Sequence, residues 1–170
     1  MSRPAAVVPN GTFALTIWQP WASLIMASAK PFEFRGHPAP FRFQHERIVI
    51  HAGKRAMREA ELIDLINRAE DVDQRWTTGL NVTIALPILI EALSSPAMFP
   101  LGAGLGTAIL GQPRRAAEVV PDVADSDRVD HSKWAWPLTA IEAFEAPIEC
   151  SGAQGFWRWP DAADMARRAA

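Results

Sequence analysis

Lys30, Glu33 and Arg35 fall within six consecutive residues, Lys30-Pro31-Phe32-Glu33-Phe34-Arg35. Phe32 to Arg35 alternates apolar and charged residues, so a strand here puts Glu33 and Arg35 on one face and the two phenylalanines on the other. Pro31 pushes Lys30 out of helical conformation, so Lys30 enters from the turn just before that strand. Two cations and a carboxylate can then meet in one cleft. Arg35 offers a planar fork to a phosphate or a base edge, and Glu33 can accept from an exocyclic amine such as that of cytosine. Lys30 can contact phosphate or take part in chemistry, which makes Lys30 and Glu33 the candidate catalytic residues. A lysine base or nucleophile needs a lowered pKa. A neighbouring carboxylate acts in the opposite direction, with Arg35 as the offsetting charge. The competing structural role is an ion network that ties helix to sheet.

A second group is His51, Lys54 and Ser132. Together they offer a general base, a cationic stabiliser and a positioning hydroxyl, a set that can act without metal. Nothing in the spacing makes the three converge, and loop chemistry at the surface is the simpler reading. The seven tryptophans, with no tyrosine, add a further signal. Most are expected in the core, with Trp18 or Trp21 available to stack on a base. HExxH, GxSxG and Walker-type phosphate loops are absent. The four histidines lack paired spacing, so neither metal nor cofactor is expected. Gly102-Ala103-Gly104-Leu105-Gly106 has no βαβ unit around it and reads as a turn leading into a strand.

The elements that must position these groups follow from patterning. Phe13 to Trp18 reads as a strand. Trp21, Leu24 and Ile25 give a short amphipathic helix after Pro20, which Pro31 ends. Arg47 to His51 is a second strand. Met57 to Glu70 is a helix with Leu62, Ile63, Leu65, Ile66 and Ala69 as its apolar stripe and acids in its first turn. Residues 82 to 94 read as another helix, and 122 to 130 as an acidic loop. Trp134 to Phe144 and Gly155 to Trp159 read as closing strands. Residues 161 to 170 form a C-terminal helix or tail, and residues 1 to 12 a flexible arm. Strands at both ends with helices between them indicate an α+β domain or a small β-barrel with a helical insertion.

Composition limits the function classes. A formal charge of −2 over 170 residues argues against a protein that coats long duplex nucleic acid. The total conceals a segment from Ala29 to Arg58 with seven bases and two acids, a candidate anion surface. One cysteine, Cys150, excludes an internal disulfide and makes a reducing cytoplasm the simplest compartment. The first residues, interrupted by Pro4 and Pro9, do not read as a signal peptide, and Val82 to Leu93 is too short to span a membrane.

Ser28-Ala29-Lys30-Pro31-Phe32-Glu33-Phe34-Arg35 resembles the GxKxxExR signature of the ASCH domains, members of the PUA-like superfamily, with Ser28 in place of the usual glycine. Leu15 to Ala22, with its Gln19-Pro20-Trp21-Ala22, is similar to that family's first strand and helix start. Arg47 to Ala52, Trp134 to Leu138 and Gly155 to Trp157 resemble later strands. The resemblance spans residues 13 to 160, with 59 to 130 as a family-variable insertion. It implies a PUA-like β-barrel with flanking helices and a cleft at Lys30, Glu33 and Arg35. Binding candidates are Trp18, Gln19, Trp21, Lys30, Glu33, Arg35, His51, Lys54 and Ser132. It further implies recognition of RNA or of a modified nucleoside or nucleotide, with no membrane partner. The alternative is a metal-independent hydrolase, an N4-acylcytidine amidohydrolase or a ribonuclease, using the same cleft. The amidohydrolase relatives carry threonine where this chain has Glu33. A third reading is a protein-interaction module whose contact face is residues 82 to 99.

Overall fold

The computed structural model describes residues 8–120 and 133–169. Strand β1 (Phe13–Ile17) carries Leu15 and Ile17 inward. It runs into helix α1 (Trp21–Met26), whose Ala22, Leu24 and Ile25 are buried. The helix ends in a tight reversal. Ser28 N–H donates to the Ile25 carbonyl at 2.9 Å and Ala29 N–H to the Leu24 carbonyl at 2.8 Å, while Ser28 has φ of 58°. These are the two bonds of a Schellman cap, with Ser28 at the left-handed position that favours glycine. The turn is thus kept without the signature glycine, at the cost of steric crowding on the Ser28 Cβ.

The cap delivers the chain into β2 (Phe32–Arg35), followed by a 3-10 turn at Phe41–Phe43 and by β3 (Arg47–Ala52). Helix α2 (Glu59–Glu70), a 3-10 turn at Arg75–Thr78, helix α3 (Val82–Ser94) and a 3-10 turn at Pro96–Met98 form a helical layer. Strand β4 (Ala103–Leu110), the short β5 (Arg114–Arg115) and α4 (Ala116–Val119), the long β6 (Trp134–Glu149), β7 (Phe156–Arg158) and α5 (Ala162–Ala169) complete the described chain.

The strands make one mixed sheet in the order β2-β6-β4-β3-β1-β7, with β5 also on β6. β1 and β3 are parallel, and the other pairs are antiparallel. β6 bridges the two parts: Trp134–Pro137 pairs with β2 and Leu138–Glu149 with β4. Among the described residues the sheet curls into a half-barrel flanked by five helices, the α+β small-barrel architecture expected from the sequence. Its concave side holds Leu15, Ile17, Ile48, Ile50, Leu105, Leu110, Trp136 and Leu138. A second cluster joins Leu24 of α1 to Leu62, Leu65 and Ile66 of α2 and Leu89 of α3.

Two details differ from the sequence reading. The glycine run is strand, with β4 beginning at Ala103. The glycines serve close approach: a Cβ on Gly104 would overlap the Trp159 ring, and one on Gly106 the Met26 methyl and the Glu142 carbonyl. Ile63 leaves the apolar stripe of α2 and is 42% exposed. Within residues 59 to 130, the helical part through Met98 packs on α1, and β4 sits in the middle of the sheet. No helix among the described residues is long and apolar enough to cross a membrane.

Candidate functional site

A cavity of about 540 Å³ opens between the start of α1, the start of β2, and the α2 face that continues into the Arg75–Thr78 turn. Five of the sequence candidates line it: Trp18, Gln19, Trp21, Lys30 and Glu33. The sequence order explains the grouping. The end of β1 supplies Trp18 and Gln19, α1 supplies Trp21, and the Schellman turn brings Lys30 back beside them before β2 adds Glu33 and Phe34.

Lys30 is buried to 6% exposure. Its ammonium donates to the Phe32 carbonyl, lies 3.4 Å from Glu33 Oε2, and sits 5.0 Å and 5.7 Å from the ring centres of Phe34 and Trp21. Glu33, also buried, receives Arg35 through its other oxygen at 3.1 Å. The alternation argument therefore holds, since Glu33 and Arg35 share a face and meet. Arg35 stands behind Glu33, half-buried over the Trp136 ring at 5.8 Å, and outside the cavity lining. Its Nε is buried without a partner.

The charge balance on Lys30 reverses the sequence expectation. Glu33 does favour the ammonium, but loss of hydration on burial outweighs it, with Arg35 acting in the same direction as burial. The Lys30 pKa is held below its ordinary value, the direction a lysine base requires.

Gln19 is a framework residue. Its Nε2 donates to Ser23 Oγ and to the Pro100 carbonyl, both at 2.8 Å, and its Oε1 accepts Ser23 N–H at 3.1 Å. Both of its amide hydrogens are thus committed to holding α1. Trp18 is 57% exposed, with the Arg55 guanidinium 4.9 Å from its ring centre.

The structure does not bring the second group into this cavity. His51 is 1% exposed, within the sheet. Trp157 Nε1 donates to Thr16 Oγ1 at 3.0 Å, so the Thr16 hydroxyl is free to donate to His51 Nδ1 at 3.2 Å. His51 Nε2 faces the Cys150 carbonyl at 2.8 Å and must carry the hydrogen, since a carbonyl only accepts. Both His51 nitrogens have partners, and burial lowers its pKa from the ordinary histidine value. Lys54 donates to Ser151 Oγ at 3.3 Å in a separate shallow depression. Ser132 lies outside the described residues.

Sequence reasoning missed the opposite wall. Arg55, Met57, Ala60, Glu61, Asp64 and Arg68 line the cavity from α2 and its lead-in, with Thr77 and Thr78 beyond. Glu61 accepts Arg58 N–H at 2.9 Å and pairs with Arg55 and Arg58, which draws its carboxyl down to about 2. Asp64 accepts Arg68 Nε at 3.1 Å, and Arg68 also reaches Thr77 Oγ1. The available signal was the stripe 57, 61, 64, 68, spaced three or four apart beside the buried stripe of the same helix. With this wall, the cations Lys30, Arg55 and Arg68 meet the carboxylates Glu33, Glu61 and Asp64. The cavity is polar and charge-balanced rather than basic, with aromatic faces from Trp18, Trp21 and Phe34.

Comparisons with known proteins add little by sequence: no family model and no curated protein matches the chain. Among solved structures, the chain is similar to the crystal structure of ASCH from Zymomonas mobilis, with 13% identity over 95% of each chain and a TM-score of 0.47. It is also similar to a serine-to-alanine mutant of that protein, with 12% identity over 95% of this chain and 96% of that one and a TM-score of 0.48. A tyrosine-to-phenylalanine mutant gives 12% identity over 94% and 96%, with a TM-score of 0.47.

Proposed function

We propose that the chain is an ASCH-type domain that recognises RNA or a modified nucleoside by taking one base into the cavity beside Lys30 and Glu33. The observation that carries this reading is the cavity itself. Its volume of about 540 Å³ lies in the range of small-molecule sites, and its lining combines aromatic faces with a few converging charges. Trp18, Trp21 and Phe34 supply surfaces on which a base can stack. Glu33 supplies an acceptor for an exocyclic amine, and Lys30 a donor for a ring carbonyl. The balance of three cations and three carboxylates favours a neutral base and sugar over a polyphosphate.

The test uses the tryptophans that line the site. Quenching of their fluorescence is followed as cytidine, N4-acetylcytidine, other modified nucleosides and short single-stranded RNAs are added. Saturable quenching is expected with at least one of these, and its loss in Lys30→Met. If no nucleoside or RNA gives saturable quenching, the reading is wrong.

One observation favours hydrolysis as a second reading: burial holds Lys30 toward its neutral form. A neutral Lys30 amine can take a proton from water as the oxygen attacks the acyl carbon of an N4-acylcytidine. The acyl–nitrogen bond then breaks, the proton passes to the departing amine, and cytidine and a carboxylic acid are released. Mass spectrometry of the same incubations reads this directly. Bound but unchanged N4-acetylcytidine would eliminate the hydrolase and leave the binding reading in place.

A further inference from the structure

Arg42 and Arg158 differ from every other described cation. Lys30, Arg35, Arg47, Arg55, Arg58, Arg68, Arg114 and Arg167 each reach a carboxylate. Lys54 reaches a hydroxyl, Arg75 a carbonyl, and Arg115 and Lys133 other partners. Five of the seven bases of the basic segment seen in the sequence are therefore paired with carboxylates, and Lys54 with a hydroxyl. Arg42 is its exception, and Arg158 joins it from β7. Among the described residues these two guanidiniums have no ion pair and no hydrogen bond, and both side chains are exposed.

They are nevertheless held in place together. Arg158 stands opposite Phe13 in the β1–β7 ladder, with its guanidinium 5.5 Å from the Phe13 ring centre. Arg42 lies 5.6 Å from that same ring and 4.4 Å from the ring of Phe43. Phe43 is buried, stacked on Phe156 at 4.0 Å, so the platform is rigid. A guanidinium lying on an aromatic ring keeps its N–H edge free for hydrogen bonding. Two such groups over one ring repel each other, and among the described residues no carboxylate pairs with either. Beside Arg42 in the chain, Phe41 is 87% exposed, the most exposed large apolar side chain among the described residues.

We propose that Arg42, Arg158 and Phe41 form a phosphate-and-base contact for a single-stranded nucleic acid, separate from the cavity. The two forks take phosphate oxygens, for which free, ordered guanidiniums suit bidentate bonding. Phe41 gives a neighbouring base a stacking surface. A strand fits better than an acidic protein because the site pairs fixed forks with an isolated exposed ring, the combination that single-strand binders use. The site lies at the start of β1, whereas the cavity lies just past its end, roughly 15 Å away at the rise of a strand. The proposal shares no residue with the cavity and does not depend on it.

Fluorescence anisotropy of labelled oligouridylate and oligoadenylate, titrated with the full chain over a range of salt, tests it. Binding is expected to weaken with salt. The double variant Arg42→Gln/Arg158→Gln should lower the slope of log K against log salt by about 1.4, at about 0.7 per phosphate contact on a single strand. Phe41→Ala should weaken binding about tenfold with the slope unchanged. Because Phe41 is exposed, that variant tests the proposal even if the double variant folds poorly. Nucleoside quenching of the cavity tryptophans, read on the same variants, should not change, which separates failure here from failure of the cavity reading. Three outcomes overturn the proposal: no binding of either oligonucleotide, an unchanged slope in a folded double variant, or competition by polyglutamate equal to that by unlabelled oligouridylate. The last would assign the surface to an acidic protein.

Discussion

Replacing Glu33 by Gln tests whether the buried triad is held by charge. Glu33 accepts from both Lys30 at 3.4 Å and Arg35 at 3.1 Å, and its side chain is 10% exposed. At that separation a unit pair is worth about 5 kcal/mol at an effective dielectric of about 20. Removing one member of a buried pair typically costs about 3–5 kcal/mol, because the charge left behind stays desolvated. Lys30 keeps the Phe32 carbonyl and two aromatic faces, and a glutamine oxygen can still accept one bond, so the loss belongs near the low end, about 3 kcal/mol. A domain of this size has about 8 kcal/mol or more to lose, so the variant should fold. The pH dependence carries the sign. In the folded protein Lys30 already titrates below its ordinary 10.5, and without Glu33 it titrates lower still. Between the folded and unfolded values the unfolded chain binds more protons, so stability rises with pH through that window. Urea unfolding at neutral pH and at about pH 10 should therefore show the deficit of Glu33→Gln shrinking at the higher pH. Adding Lys30→Met should recover part of the loss. A deficit below about 0.5 kcal/mol at neutral pH, or one that does not change with pH, would refute the account of a desolvated, charge-coupled triad.

Ser28→Gly should stabilise the protein by about 1 kcal/mol, measured by urea unfolding, because it removes a Cβ from a left-handed residue whose exposed side chain makes no described hydrogen bond. His51 is depressed below its ordinary 6.5 in the folded state. Its contribution is fully present above pH 6.5 and is lost as pH falls toward the folded value, so the melting temperature should drop across that window and His51→Gln should flatten the slope. Gly106→Ala should destabilise by about 2 kcal/mol or more in thermal melts, because the added carbon meets the Glu142 backbone carbonyl as well as the flexible Met26 methyl.

The core of the candidate site was legible because its parts are neighbours in the chain. Lys30, Glu33 and Arg35 are linked by one turn and one strand, and strand alternation and the Pro31 boundary act over two or three residues. The same locality made α1, β2, β3 and α2 readable. Where several nearby residues agree on one period, tertiary packing has little left to decide.

Packing decided what depends on who faces whom. The far wall of the cavity comes from Arg55, Glu61, Asp64 and Arg68, whose helix turns toward Lys30 because its other face is buried against α1 and α3. The sequence placed a carboxylate beside Lys30 and so implied a raised pKa. Only the folded chain sets how much water is lost, and desolvation grows with the number of atoms around the ammonium, not with its distance along the sequence. His51 and Lys54 are three residues apart, yet one lies inside the sheet and the other is exposed just past the end of β3. Arg42 and Arg158 are over a hundred residues apart and share one ring. Charge counting along the chain cannot show which cations keep a free edge, because pairing depends on side-chain geometry: Arg47 reaches Glu142 on a distant strand, while Arg42, four residues from Glu46, pairs with no acid among the described residues.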